Sequence, residues 1–191
     1  MRRPIRLLLA AVFVLPIVAF AASSGGAVVD PGTDCAHSSG SATFSPGLWK
    51  LQPAAQKELH EAAQTITMTG STTGCVGGGV TSGTFRATIH IADPANCNSL
   101  LSDSDTAVPA TTGSITVRWS ATKSSTASIT LKTVTGQPTQ TDISGTVSST
   151  SNTFKGLALT QRIAFTPETG GCSSKNLLHV TFKEVTALEI G

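Results

Sequence analysis

Residues 83–92 decide the fold class of this chain, because apolar and polar residues alternate along Gly-Thr-Phe-Arg-Ala-Thr-Ile-His-Ile-Ala. In an extended chain Phe85 and Ile89 point to one side, and Thr88 and His90 point to the other. A period of two is typical of a strand with one face on an apolar core and one face in water. The stretch therefore predicts a half-buried antiparallel strand with Thr and His on its wet face.

The same alternation recurs along most of the chain. Six further stretches carry it: 41–45, 65–69, 114–121, 127–131, 154–166 and 176–183. Trp119 falls among the apolar residues of its stretch and is expected in the core, and glycines and prolines separate the stretches. The pattern predicts an all-β protein, either an antiparallel β-sandwich or a flattened barrel of about seven to nine strands.

Two short stretches interrupt the strand pattern. Residues 53–64 begin with Pro53 and continue with good helix formers, and residues 97–102 have the composition of one further helical turn. Leu59 is the only large aliphatic residue of the first stretch. We therefore expect one or two short helices on the surface.

The chain has four cysteines, Cys35, Cys75, Cys97 and Cys172. An even number in an exported protein predicts two disulfides, and four cysteines allow three pairings. An antiparallel match centred on Thr43 and Thr67 brings Cys35 beside Cys75, which leaves Cys97 to pair with Cys172. The wide spacing of the cysteines does not favour a metal site, so none is expected.

The first 21 residues have the three parts of a secretory signal peptide. Arg2, Arg3 and Arg6 precede an apolar stretch at 7–18, and residues 19–21 read Ala-Phe-Ala, so we expect cleavage before residue 22. We therefore predict a signal peptide at 1–21, a flexible leader at 22–40 and a single β domain at 41–191, released outside the cell without membrane insertion.

Removal of residues 1–21 changes the charge of the chain. It takes away three arginines and no acid, so that 10 basic residues stand against 11 acidic ones and the net charge falls from +2 to −1. Because the remaining Lys and Arg are scattered, the composition argues against nucleic acid as a partner. No cofactor-binding motif is present, and no cofactor is expected.

Few residues suggest a binding or catalytic site. Trp49 lies outside the alternating stretches and is a candidate binding residue, together with the loop of Gly77, Gly78 and Gly79. That loop lacks the Lys and the following helix of a phosphate-binding loop. His90 and His179 lie on the wet faces of two predicted strands and would approach each other only if those strands were neighbours.

The order of several segments resembles a known group of proteins. The segments are ATFSPGL at 42–48, QTITMTG at 64–70, GGVTSGT at 78–84 and GSITVRWS at 113–120. This layout is similar to small secreted β-rich proteins of unknown function that are common in actinobacteria. The resemblance implies export and a β-fold, and it brings no catalytic residues with it.

The sequence therefore favours a secreted, disulfide-stabilised binding or structural module without enzymatic activity. Its expected partner is a component of the cell envelope or another secreted protein. Two alternatives stay open: a small secreted hydrolase with a site near His90 or His179, and a soluble protein-binding subunit or inhibitor that acts through loops.

Overall fold

The computed structural model describes residues 31–48, 63–91, 111–137, 139–167 and 177–191. These residues form nine strands: β1 Thr33–Leu48, β2 Gln64–Val76, β3 Ser82–Ile91, β4 Thr111–Arg118, β5 Ser124–Thr133, β6 Gln140–Val147, β7 Ala158–Pro167, β8 Leu177–Glu184 and β9 Leu188–Ile190. The described part of the chain contains no helix, so the predicted all-β class is confirmed. It also contains no helix long and apolar enough to cross a membrane.

The strands form a closed barrel rather than a sandwich. Each of β1 to β7 pairs antiparallel with the next strand along the chain, and β8 pairs with β1 to close the ring of eight. The short β9 continues the line of β8, since it pairs with β1 at Thr33 to Cys35 and with β7 at Leu159 and Thr160. Closure leaves no open sheet edge along most of the barrel, which protects it from pairing with other chains.

Two of the structural predictions fall wholly or mainly outside the described residues. The helical turn at 97–102 lies outside them, as do residues 53–62 of the longer predicted helix. Gln64, the last residue of that predicted helix, is instead the first residue of β2 and is buried.

The barrel interior is packed with the apolar residues that alternate along the strands. Phe182 lies between Phe85 and Phe165, with ring centroids 6.0 and 6.1 Å apart. Gly40 and Gly70 face each other on β1 and β2 beneath these rings. A Cβ on Gly70 would lie 2.6 Å from Cζ of Phe85, and one on Gly40 would lie 2.7 Å from Cζ of Phe182. Each Cβ would also meet a backbone carbonyl oxygen of the facing strand, so both positions need glycine for the close approach of the two strands as well as for the rings.

The upper end of the barrel is the end that carries the β2–β3, β4–β5 and β6–β7 connections. Phe154 is fully buried there with a φ of 58°, and its ring packs edge-on against Trp119 at 5.6 Å. Trp119 is 8% exposed, and its Nε1 donates a hydrogen bond of 3.0 Å to Oγ of Ser125. The prediction of Trp119 as a core residue is confirmed. Phe154 lies before β7 rather than within it, because β7 begins at Ala158.

The predicted register between β1 and β2 is confirmed. Thr43 lies opposite Thr67, and Cys35 lies opposite Cys75, to which it is joined by a disulfide. This disulfide is consistent with an oxidising compartment. Cys97 and Cys172 lie outside the described residues, so their pairing stays a prediction.

The predicted leader at 22–40 does not match the structure at its C-terminal end. Its residues from Thr33 onward form the first half of β1, which pairs with both β2 and β9. The residues Thr-Asp-Cys-Ala-His-Ser-Ser-Gly contain no large apolar residue, so their pattern gave no strand signal. Contacts with the neighbouring strand hold this part of β1 in place. Ser38 is buried, and its Oγ donates a hydrogen bond of 3.1 Å to Oγ1 of Thr72.

Candidate binding surface

The outer surface of β1 to β6 is covered by hydroxyl side chains in register. We call it the hydroxyl face and define it by two adjacent rows that cross the six strands. One row consists of Thr43, Thr67, Thr88, Ser114, Ser128 and Thr146, and the other of Ser45, Thr65, His90, Thr112, Thr130 and Ser144. All these side chains are exposed or half-buried. The rows arise because β-branched Thr suits the wet side of a strand and because the side-chain period is two.

Hydrogen bonds link neighbouring strands across this face. Thr130 Oγ1 and Ser144 Oγ are 3.1 Å apart, and Nδ1 of His90 is 3.3 Å from Oγ1 of Thr65. Such cross-strand pairs each stabilise a sheet by up to about 1 kcal/mol. They also hold the hydroxyl groups and the imidazole in defined positions, as a binding surface requires.

An open groove of about 660 Å³ crosses the hydroxyl face over β3 to β6. The described residues that line it are His90, Thr112, Gly113, Ser128, Ile129, Thr130, Ser144, Gly145 and Thr146. Gly113 and Gly145 lie on either side of Ile129 in the sheet. A Cβ on Gly113 would lie 2.7 Å from Cα of Ile89, and one on Gly145 would lie 2.9 Å from Cγ2 of Ile129. The two glycines therefore let neighbouring backbones approach closely beneath the groove.

The structure does not bring His90 and His179 together. They lie on β3 and β8, with β2 and β1 between them, which is three strand spacings or roughly 14 Å along the sheet. Each imidazole instead contacts a threonine hydroxyl, since Nδ1 of His179 is 3.2 Å from Oγ1 of Thr43. The described residues that line the groove with His90 include no carboxylate.

An imidazole–carboxylate pair does occur near the junction of β8 and β9. Nδ1 of His37 is 3.3 Å from Oε1 of Glu184, and the backbone N–H of Ser38 donates to Oε2 at 2.9 Å. Partial burial raises the pKa of the Glu184 carboxyl, but the hydrogen bonds from the backbone and from His37 outweigh it. The net result is a pKa below the ordinary value of 4.5. The pair ties β1 to the end of β8.

A charged ladder lies across β5, β6 and β7, outside the groove lining. Lys132, Asp142 and Arg162 are neighbours in register, and Arg162 binds Asp142 with both Nε at 2.6 Å and Nη2 at 3.1 Å. The hydrogen bond to Asp142 raises the pKa of Arg162 above its ordinary value. Within the described residues, no group of three or more His, Cys, Asp or Glu side chains is placed to hold a metal ion.

The predicted loop residues have a structural setting at the upper end. Gly77, Gly78 and Gly79 all have positive φ values, of 102°, 55° and 64°. Gly78 lies against the ring of Phe154, where a Cβ would clash, and the carbonyl oxygen of Gly79 accepts a hydrogen bond of 3.3 Å from Nζ of Lys123. The positive φ values and the close contact with Phe154 explain why this tight turn requires glycine.

Trp49, the other predicted binding residue, lies outside the described residues. It directly follows Leu48, with which β1 ends at the lower end of the barrel. The two parts of the predicted loop site therefore belong to connections at opposite ends of the barrel.

Sequence reasoning did not single out the groove residues. From the sequence, Ser128 and Thr130 fit only the wet side of a predicted strand, and Thr112 lies outside the predicted strands. His90 is a candidate only for a hydrolase site, alone or together with His179. The sequence indicates Gly113 and Gly145 as turn residues between strands, whereas the structure places them within β4 and β6. Their meaning depends on knowing which strands are neighbours.

Comparison with known proteins adds no family to this description. A scan against family models gave no match, and searches of curated proteins and of solved structures gave none either.

Proposed function

We propose that this chain is exported and acts as a non-enzymatic binding module, at the cell envelope or in the medium, through the groove on the hydroxyl face. The groove is the observation that carries this proposal. It presents hydroxyl groups and one imidazole on a rigid scaffold, and it lies outside a barrel whose interior is packed with side chains. Function is often carried by the surface of such a scaffold rather than by its core.

Two further observations support the location. The disulfide between Cys35 and Cys75 suits an oxidising compartment, and residues 1–21 have the composition of a secretory signal. The resemblance to secreted actinobacterial proteins points the same way. Expression with the native N-terminus in an actinobacterial host should yield a protein in the medium that begins at residue 22, and retention inside the cell would contradict export.

The binding proposal is tested by co-sedimentation of the secreted protein with isolated actinobacterial cell envelopes. Ser128→Lys places a long charged side chain in the groove, whereas Thr181→Lys places the same side chain on the exposed face of β8. We expect the unmodified protein and Thr181→Lys to sediment and Ser128→Lys to stay in solution. Equal sedimentation of all three would show that the groove is not the binding surface, and sedimentation of none would refute envelope binding.

One observation favours a second candidate function, a protein-binding subunit or inhibitor. Val76 at the end of β2 is 76% exposed, next to the turn that begins with Gly77. A partner protein that docked on this turn would bury the Val76 side chain, which favours such a partner because burial of apolar surface is stabilising. If Val76→Glu, and not Ser128→Lys, abolished co-sedimentation, the upper turn would replace the groove as the proposed binding surface.

A further inference from the structure

We propose that the groove binds an uncharged oligosaccharide, and this inference rests on the proposed function of the groove. The volume of about 660 Å³ falls within the range of roughly 300–1,000 Å³ that is usual for small-molecule sites. The described lining residues come from four adjacent strands, β3 to β6, which span roughly 14 Å across the sheet. A site of this width suits an extended ligand better than a compact one.

The polar chemistry of the groove matches that of a sugar. The lining carries five hydroxyl groups that can donate and accept hydrogen bonds, those of Thr112, Ser128, Thr130, Ser144 and Thr146. The bond between Thr130 and Ser144 uses one donor of this set. Sugar hydroxyl groups have the same dual capacity, so either partner can rotate to suit the other. A ligand with only acceptors or only donors would use half of this capacity.

The charge of the lining argues for a neutral ligand. Among the described lining residues only His90 is titratable, and none is Lys, Arg, Asp or Glu. A charged ligand would therefore lose hydration in the groove without meeting an opposite charge, which is unfavourable. The Lys132, Asp142 and Arg162 ladder lies outside the lining, and two of its three charges pair with each other.

The groove also offers apolar contacts, although its described lining contains no Phe, Tyr or Trp. The threonine side chains carry methyl groups, and Gly113 and Gly145 bring the backbone within reach of a ligand. These surfaces can contact the C–H groups of a sugar ring. Because ring stacking on an aromatic side chain is missing from the described lining, we expect weak binding by a single oligosaccharide, with a Kd of about 1 mM.

His90 is placed to orient the ligand. Its Nδ1 is held near Oγ1 of Thr65 at 3.3 Å, and no described residue bonds its Nε2. A ring nitrogen can donate or accept according to its tautomer, so Nε2 can bond a sugar hydroxyl in either role. We therefore assign His90, which lies on β3 at the edge of the groove, the role of orienting the ligand.

The test is affinity electrophoresis of the secreted protein in gels that contain dextran, mannan or galactan, with polygalacturonate as the charged polymer. We expect at least one neutral polymer to retard the protein and polygalacturonate not to do so. Thr130→Val keeps the size of the side chain but removes one hydroxyl, and we expect it to weaken binding by about three- to tenfold. Ser128→Lys should abolish retardation, and Thr181→Lys should leave it unchanged.

Three outcomes would overturn the inference. They are no retardation by any neutral polymer, retardation of Thr130→Val and Ser128→Lys equal to that of the unmodified protein, and stronger retardation by polygalacturonate. Equal thermal transitions of all variants by circular dichroism would show that the differences do not come from unfolding. Envelope binding without retardation would refute the sugar and leave the binding module, whereas retardation without envelope binding would refute the location alone.

Discussion

Replacement of Trp119 by alanine tests whether the upper end of the barrel is closed as described. The indole is 8% exposed, packs edge-on against Phe154 and donates a hydrogen bond to Ser125. Loss of a buried Trp side chain costs about 3–5 kcal/mol. Of this, the edge-on aromatic pair accounts for about 0.5–1.5 kcal/mol and the hydrogen bond for about 1 kcal/mol. The cavity left beside Phe154 accounts for most of the rest.

The assay is urea unfolding followed by far-ultraviolet circular dichroism. Tryptophan fluorescence is unsuitable, because the variant lacks Trp119, the buried tryptophan that would report unfolding. We expect Trp119→Ala to lower the free energy of unfolding by about 3–5 kcal/mol. Trp119→Phe keeps a ring against Phe154 and loses the donor to Ser125, so a smaller loss of about 1–2 kcal/mol is expected. If Trp119→Ala cost less than about 1 kcal/mol, the indole would not be part of the core and the closure of the upper end would be wrong.

Three other predictions concern the scaffold. Replacement of Cys35 and Cys75 together by serine opens a loop with a sequence separation of 40, so the free energy of unfolding should fall by about 4 kcal/mol, and an unchanged urea midpoint would contradict this. Gly70→Ala should lower it by about 1–3 kcal/mol, because its Cβ would meet the ring of Phe85 and the backbone carbonyl oxygen of Ser39, and a neutral effect in the same assay would show that neither contact constrains this position. The pKa of Glu184 is lower in the folded protein than in the unfolded chain. The ionised carboxylate therefore stabilises the fold above pH 4.5, and this stabilisation is lost as the pH falls through the folded-state pKa. Glu184→Gln should therefore flatten the decline of the thermal midpoint in acid, and identical acid profiles would refute that role.

The register of β1 and β2 could be predicted because two local signals agreed. The polar and apolar residues alternate around Thr43 and Thr67, and the same register aligns Cys35 with Cys75. The burial of Trp119 followed from the same period of two. In each case the signal lies within a few residues of the position that it describes.

Closure of the barrel and the groove could not be predicted in this way. The choice between barrel and sandwich depends on the pairing of β1 with β8, which are strands from opposite ends of the described chain. The groove is lined by residues of β3, β4, β5 and β6, which only the order of the strands brings together. The first half of β1 could not be predicted, because its own residues show no apolar alternation. It becomes a strand by pairing with β2 and β9.

The central claim is that the groove on the hydroxyl face is the binding surface of this protein. Threonine-methyl NMR of residues 22–191, titrated with soluble polysaccharide from actinobacterial envelopes, tests it most directly. The methyl groups of Thr112, Thr130 and Thr146 lie at the groove, whereas those of Thr166 and Thr181 lie on β7 and β8. The account predicts shifts or broadening at the first three and none at the last two. Changes confined to Thr166 and Thr181, or no change at any of the five, would contradict it.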